Sequence, residues 1–206
     1  MQVKPGGHTF TGAARRAQIV AATIDTIAEL GYNQTSFARI AERAGLSSTR
    51  LISYHFAGKD ELMAAVLAEV LDQLGRHMAE QVSRAGDARG RLRAYITGLV
   101  GFTAAHRDRM RALMEIFLHP QGDLSSYGPE DDRDALGHLE AILREGQERG
   151  EFRAFDPFVM ASVIQRSMDA LPLLLRTRPE LDLEAYAREL VTTFDLATRA
   201  RPGDVA

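Results

Sequence analysis

Four small or cationic side chains, Ser48, Thr49, Arg50 and Ser53, lie in one short stretch and have the chemistry to read the edges of base pairs. Their hydroxyl and guanidinium groups can form hydrogen bonds with bases, and small residues let a helix backbone approach the major groove closely. A solvated helix face in an ordinary bundle carries the same residue types. The polar face alone therefore does not decide between DNA binding and simple exposure.

The surrounding apolar spacing predicts two short helices joined by a tight turn. In the first helix, which Thr35 or Ser36 can cap, apolar residues recur at i, i+3, i+4 and i+7. Gly45 can adopt the left-handed backbone that ends a helix without a Cβ clash. Ser47 is expected to cap the second helix, which runs from Ser48 to about residue 55. The polar face thus lies on a short helix held by a compact turn.

The whole string resembles the DNA-binding domain of the TetR family of bacterial transcriptional repressors. The resemblance covers about residues 14–67 and rests on matches at fixed spacing: Gly31-Tyr32, Thr35, Ile40-Ala41, Ala44-Gly45-Leu46-Ser47, Tyr54-His55-Phe56 and Lys59-Asp60-Glu61-Leu62. It implies that Ser48, Thr49, Arg50 and Ser53 face the groove of double-stranded DNA and that phosphates are held by Thr35, Tyr54, His55 and Lys59. Family members often have an aromatic residue in place of Ser53 and a small one in place of Arg50. The resemblance therefore does not say which bases are read.

Lys59 offers a physical reason for a phosphate contact that does not depend on the resemblance. It begins a predicted helix, where the helix dipole favours negative charge, and Asp60 and Glu61 follow that preference. A cation in this first turn is favourable if a phosphate lies nearby. The alternative is a chance placement.

The charge of the chain is distributed unevenly. The net charge is −3 overall, but residues 1–60 carry seven Lys or Arg and four acids, a net of +3. The remaining residues carry 18 basic and 24 acidic side chains, a net of −6. A basic amino-terminal part on an acidic body fits phosphate contacts at one end only.

Composition bounds the class of protein. The 206 residues are 45% hydrophobic and include no cysteine, which excludes disulfides and thiolate metal sites. We find no apolar run that approaches the roughly 20 residues of a membrane span, and no signal peptide at the amino end. We therefore expect a cytoplasmic protein that does not contact a membrane.

The rest of the sequence predicts an all-α fold of about nine helices. Beyond the two short helices, we expect helices over about residues 12–30, 59–84, 88–105, 109–118, 130–149, 157–176 and 183–200, with an arm at 1–12 and a loop at 121–129. An N-terminal three-helix DNA-binding domain, residues 1–62, is joined by the long fourth helix to a helical ligand-binding and dimerisation domain, residues 63–206.

The predicted second domain has a pliable, Met-rich interior that suits an apolar ligand. We expect the pocket to be lined by Phe102, Met110, Met114, Phe117, Leu139, Ile142, Met160, Ile164 and Met168. Simple core packing is the alternative for each of these residues. A helix that is apolar on more than one face needs covering, and by resemblance a second chain covers it. The expected homodimer contacts are Leu174, Leu183, Leu190, Val191 and Phe194.

An enzyme is the opposing class, and the sequence gives it little support. No two histidines stand at i, i+4, and there is no Gly-rich phosphate loop or nucleophile elbow. We therefore predict no catalytic residue, no metal ligand and no cofactor. A third class, a permanently bound chromosomal protein, would need no cavity.

By resemblance to the TetR family, we expect a ligand-responsive repressor that binds a palindromic operator as a homodimer. A small apolar or amphipathic effector is expected to release it by tilting the long helix, roughly 38 Å at 1.5 Å per residue, from near Gln73 or His77. A ligand that acts as co-repressor, or a ligand-independent chromosomal protein, stays an alternative.

Overall fold

The structure, a computed structural model, describes residues 7–119 and 129–200. Within these residues it contains ten α-helices and no strand, apart from a single bridge between Phe152 and Arg199. The helices are α1 Gly7–Leu30, α2 Phe37–Arg43, α3 Arg50–His55, α4 Lys59–Ser83, α5 Ala88–Ala105, α6 Arg107–Phe117, α7 Pro129–Glu148, α8 Pro157–Asp169, α9 Leu171–Thr177 and α10 Leu183–Thr198. The all-α prediction is confirmed, and counting α8 and α9 as one broken helix gives the nine helices predicted.

Two compact units divide the chain. The described part of unit 1 comprises residues 7–71 and 108–119, and that of unit 2 comprises residues 72–107 and 129–200. Unit 1 therefore includes α6, which the sequence assigns to the second domain. These units are defined by compactness, whereas the predicted boundary at residue 62 separates DNA binding from ligand binding and dimerisation, and it stays a prediction.

In unit 1, α1 packs against both α2 and α3. The side chains that join them are almost completely buried: Ile19, Ile24, Ile27, Ile40, Ile52 and Phe56. Helix α1 ends at Gly31, whose φ of 79° is the left-handed conformation that glycine tolerates. It begins at Gly7, five residues before the predicted start. The first six residues of the predicted arm lie outside the described residues, as do residues 121–128 of the predicted loop.

In unit 2, α5 packs against α7, α8, α9 and α10 around one hydrophobic core. The second half of α4 approaches α5 closely at Gly98, where an added Cβ would lie 3.3 Å from the side chains of Gln81 and Met78. His77 Nε2 lies 3.1 Å from the carbonyl oxygen of the same glycine. The absence of a side chain at Gly98 therefore sets the spacing between these two helices.

The stretch Pro157–Thr177 is one predicted helix but two observed helices. Asp156 caps α8 by accepting from the backbone of Phe158 and Val159, and the chain breaks at Ala170 before Pro172, which has no N–H to donate. Contrary to the expectation from the sequence, the stretch is long and apolar enough to cross a bilayer. Ala161, Ile164 and Met168 are buried in the core of unit 2, and an Arg166–Asp169 ion pair interrupts the run. Only 28% of the most apolar window of this stretch is buried in the chain, and Phe158, Val159 and Val163 are exposed.

Candidate nucleic-acid interface

The turn between α2 and α3 is closed by backbone hydrogen bonds. Ser36 caps α2 by accepting from the N–H of Arg39. At the other end, Gly45 adopts φ 63°, its N–H donates to Glu42, and the N–H of Leu46 donates to Ala41 at 2.8 Å. This is the glycine-dependent helix ending that the sequence predicts at Gly45. It turns the chain sharply enough to start α3 a few residues later.

Helix α3 begins at Arg50, two residues later than predicted. Thr49 takes the cap position without a side-chain cap bond, and Ser48 Oγ accepts from the N–H of Arg50 at 3.3 Å. The predicted cap, Ser47, is exposed and makes no such bond. Ser48 and Thr49 therefore lie on the turn that leads into the helix.

The four predicted groove-facing residues are all exposed. They form a continuous polar surface, called here the reading face: Ser48, Thr49, Arg50 and Ser53. On the opposite side of α3, Ile52 is completely buried, and Phe56, which directly follows the helix, is 1% exposed. This pair of apolar anchors fixes which side of the helix remains accessible.

Arg50, the first residue of α3, differs from the arginines of α1 and α2, because no group of the described residues forms a hydrogen bond or ion pair with its side chain. Arg16 contacts Glu61, the carbonyl of His55 and the Phe56 ring. Arg39 donates to Gln34, and Arg43 pairs with Glu29. Within the described residues, nothing accepts a hydrogen bond from the guanidinium of Arg50 or forms an ion pair with it. An exposed guanidinium without an intramolecular partner is free to make two parallel hydrogen bonds with a guanine.

The predicted phosphate contacts differ from one another in their surroundings. Tyr54 is 83% exposed, and its ring meets the His55 ring edge-on at 5.1 Å. Thr35, by contrast, is 3% exposed, and its hydroxyl donates to the carbonyl of Gly31 at 2.9 Å. The Thr35 side chain shapes the turn after α1 instead of facing solvent. Tyr54 and the half-buried His55 remain accessible for a phosphate contact.

Lys59 packs against Tyr32 at the start of α4. Its Nζ donates to the carbonyl oxygen of Tyr32 at 3.1 Å and lies 4.0 Å from the centroid of the Tyr32 ring. Burial lowers the pKa of Lys59, and the nearby Asp60 carboxylate opposes this in part. Burial, followed by Asp60, raises the pKa of Tyr32. The Lys59 side chain thus connects the first turn of α4 to the turn after α1.

The end of α6 braces the same turn, and sequence reasoning missed it. Glu115 accepts from the N–H of Tyr32 at 3.4 Å, and the His119 ring lies 3.8 Å from the Tyr32 ring. His119 Nε2 also lies 2.8 Å from Asn33 Oδ1. Tyr32, Asn33, Lys59, Glu115 and His119 are called here the Tyr32 cluster. In the sequence, Gly31-Tyr32 and Lys59 carry a signal but Glu115 and His119 do not, because these two residues are more than 80 positions from the turn.

Glu61 joins α3 to α4. Its carboxylate accepts from the N–H of Ala57 at 2.7 Å and from Arg16 at 3.3 Å. The hydrogen bond from Ala57 is the main cause that lowers the pKa of Glu61, and Arg16 adds to it. The carboxylate therefore holds the short connection Phe56-Ala57-Gly58 in place.

The residues of the predicted ligand pocket divide between the two units. Met110, Met114 and Phe117 belong to α6 in unit 1. The other six are in unit 2, and most of them are buried in its packed interior: Phe102, Leu139, Ile142, Met160, Ile164 and Met168. A cleft of about 330 Å³ in unit 2 has Leu92, Ile96, Phe152 and Val191 among its lining residues, none of them in the predicted set. The nine residues therefore do not all belong to one unit, and their grouping around a ligand stays a prediction.

The residues of the predicted dimer interface are also placed unevenly. Leu183 and Phe194 are each 6% exposed and belong to the core of unit 2, and Leu190 and Val191 pack against that core. Leu174 is exposed. Other large apolar side chains of unit 2 are more exposed than these: Phe158, Val159, Val163 and Leu196. The unpartnered apolar surface therefore lies on α8, α9 and α10, and the inward faces of the predicted residues already have partners in their own chain.

Comparison with known proteins finds relatives across the chain. Residues 19–66 match the family model described as "Bacterial regulatory proteins, tetR family". The HTH-type transcriptional regulator BetI of Cronobacter sakazakii is 32% identical over 189 residues, which cover 87% of this chain and 88% of that protein. BetI 1 of Chromohalobacter salexigens is 38% identical over 85 residues, 41% of this chain and 42% of that protein. This match and others like it span about two fifths of the curated relatives.

Solved structures share the fold at lower sequence identity. The fatty acid degradation regulator FadR of Bacillus halodurans superposes with a TM-score of 0.79 at 21% identity, over 98% of this chain and 100% of that chain. The ketosteroid transcriptional regulator KstR2 of Mycobacterium tuberculosis gives 0.74 at 19% identity, over 91% and 96%. These matches bear on the fold alone.

Proposed function

Because this chain belongs to the tetR family of bacterial regulatory proteins and is a DNA-binding transcriptional regulator, we propose that it is a repressor that binds a two-fold-symmetric operator. A small apolar or amphipathic ligand releases it. The observation that carries the proposal is the reading face on α3, with Arg50 exposed and unpaired among the described residues. Its relatives are named as regulators, which supports a non-enzymatic role in the cytoplasm.

The DNA contacts are assigned from exposure. Ser48, Thr49, Arg50 and Ser53 read the major groove, and Tyr54, His55 and Lys59 hold phosphates. Thr35 acts on the turn after α1, because its side chain is buried and hydrogen-bonded there. Arg50 is the strongest candidate for base reading, since a bidentate contact with guanine discriminates by about 1–3 kcal/mol.

A homodimer supplies the second reading face. One short helix reads only a few base pairs, and two helices about one DNA turn apart extend the site. We place the interface on the exposed apolar surface of unit 2, namely Phe158, Val159, Val163, Leu174 and Leu196. Burying such side chains against a second copy removes apolar surface from water, which favours association. Leu190 and Val191 contribute at the edge, since both are half-buried.

The effector site belongs to unit 2 in this proposal, among Phe102, Met160, Ile164 and their neighbours. Met160 is half-buried, and methionine side chains adapt to irregular ligands. The close packing of the unit 2 interior is an observation that favours a second candidate function, a DNA-binding protein that needs no ligand. A co-repressing ligand is a further alternative, since either sign of coupling is physically allowed.

The test begins with selection of duplex DNA from a random-sequence pool by the purified chain. We expect enrichment of a palindrome and a dimer on it by light scattering. A screen of apolar metabolites for thermal stabilisation then identifies ligands, and each is added to the selected duplex. A ligand that stabilises the protein and lowers DNA affinity supports the repressor, and one that raises affinity supports co-repression. If no sequence is enriched, the proposal that the chain binds a specific operator is wrong.

A further inference from the structure

The outward side of α3 carries apolar side chains as well as polar ones. Among the described side chains of residues 12–71, the large apolar ones that are exposed are Leu51 and Tyr54. Both belong to the same six-residue helix as Arg50. A single exposed leucine is ordinary on a protein surface. This leucine, however, directly follows the strongest candidate for base reading, so its position on the helix has to be considered.

Helical geometry places Leu51 at one edge of the accessible side of α3. Successive residues of an α-helix are about 100° apart around its axis. Relative to the buried Ile52, Arg50 and Tyr54 are each about 160° away and therefore point outward. Leu51 and Ser53 are each about 100° from Ile52, in opposite directions. The accessible side thus has a cation at its centre, a hydroxyl on one flank and an apolar side chain on the other.

Leu51 is only partly covered by its own chain. It is 36% exposed, and the exposed Tyr54, three positions later, is its neighbour on the helix surface. A leucine side chain forms no hydrogen bond with a phosphate or with the polar groups of a base. The apolar group that base pairs present in the major groove is the C5-methyl group of thymine. Contact between Leu51 and such a methyl group would remove apolar surface of both from water, which is favourable.

We propose that Leu51 is a specificity-determining residue that contacts the C5-methyl group of a thymine, and this inference rests on the proposed function of the reading face. The Cα atoms of Arg50 and Leu51 are about 3.8 Å apart, and successive base pairs are about 3.4 Å apart along the duplex. The thymine therefore lies within about two base pairs of the guanine that Arg50 reads. Cytosine has no methyl group at this position, so the contact distinguishes the two pyrimidines.

The contact is tested on the selected duplex by removing the methyl group alone. Each thymine is replaced in turn by deoxyuridine, and the affinity of the original chain is measured by fluorescence anisotropy. At one position in each half-site, affinity should fall about fourfold for each methyl group removed, the scale of one buried apolar carbon. At that position, L51A should bind the thymine and deoxyuridine duplexes equally. L51M keeps an apolar side chain and should retain most of the difference.

Two further variants place the contact on the helix. S53A is the matched control, because Ser53 is exposed on the opposite flank of α3. Deoxyuridine should weaken S53A as much as it weakens the original chain. R50A locates the guanine, since replacing that base by 7-deazaguanine removes the N7 acceptor and should weaken the original chain but not R50A. A guanine and a thymine more than about two base pairs apart would contradict the assignment to Leu51.

The possible failures of this inference are distinct from one another. If L51A and the original chain lose equal affinity with deoxyuridine, another residue reads the methyl group. If L51A keeps the original affinity and preferred sequence, the partner of Leu51 is not DNA. Thermal unfolding of L51A identifies a variant that has lost its fold, and the deoxyuridine series on the original chain requires no variant. A selected duplex that accepts deoxyuridine at every position contradicts the thymine contact alone, whereas selection of no duplex contradicts the proposed operator and the contact together.

Discussion

The reading face of α3 and the interior of unit 2 place opposite demands on their side chains. On the reading face, Arg50 is exposed and has no bound partner among the described residues. In unit 2, several arginines pair with acids within the chain, as in Arg89–Asp195 and Arg166–Asp169, and the apolar residues between the helices are closely packed. Groups already satisfied within the chain contribute to stability, whereas an unpaired exposed group is available to another molecule. Substitutions in the two regions should therefore be separable by measurement.

The largest expected effect is on stability, at Gly146 in α7. A Cβ added there would overlap the ring of Phe152, which is buried in the core of unit 2. Gly146→Ala should lower the free energy of unfolding by about 3 kcal/mol, because the ring cannot move aside in a packed interior. Urea denaturation measures the change. Gly137→Ala in the same helix is the control, since its Cβ meets nothing within 4 Å and should stabilise by roughly 0.5–1 kcal/mol.

Arg50 should show the reverse pattern. Arg50→Ala should weaken binding to the selected duplex by roughly 1–3 kcal/mol and change the preferred sequence. Its unfolding free energy should stay within about 0.5 kcal/mol of the original, because the side chain is exposed and unpaired. Fluorescence anisotropy and a repeated selection measure both effects. Arg144→Ala, which removes an exposed arginine paired with Glu140, is the control and should leave binding unchanged. An unaltered preference would remove Arg50 from the base-reading residues.

These two regions also differ in how far the sequence predicts them. The turn at Gly45 follows from spacing over a few residues, so the motif is correctly predicted. The start of α3 is displaced because Ser48 Oγ bonds to the N–H of Arg50, a competing local interaction that periodicity does not register. In unit 2, periodicity shows that Phe194 is buried but not whether its own chain or a partner buries it. Periodicity does not decide the predicted pocket either, since that prediction groups Met110 of unit 1 with Met160 of unit 2.

The Tyr32 cluster lies between these extremes, since it is packed but also adjacent to a predicted phosphate contact. Glu115→Ala removes the carboxylate that accepts from the N–H of Tyr32. We expect a loss of about 1 kcal/mol in unfolding free energy. We also expect a smaller loss of DNA affinity, through displacement of Tyr32 and Lys59. Hydrogen exchange at the Tyr32 amide provides a local measurement. An unchanged exchange rate would show that this contact does not brace the turn.

The smallest effect is a pH dependence at Glu61. Its pKa is lowered in the folded chain, chiefly by the N–H of Ala57, so its carboxylate adds stability above the unfolded pKa. That contribution is lost as pH falls through the folded pKa. Glu61→Gln should therefore be slightly less stable than the original at pH 7, and the difference should disappear in acid. Thermal unfolding at a series of pH values measures it, and a difference that persists unchanged at every acidic pH would contradict the electrostatic explanation.

Unit 1 is built from two separate stretches of the chain, and this has a consequence for its synthesis. A nascent chain that has emerged as far as residue 71 has every residue of α1, α2 and α3 but lacks Glu115 and His119. At about 5–20 residues per second, residue 119 follows roughly 2–10 s later. During that interval the turn at Tyr32 has neither its carboxylate acceptor nor the imidazole that covers its ring. The helix-turn-helix can form early on the ribosome, but its brace can be added only after translation has passed α6.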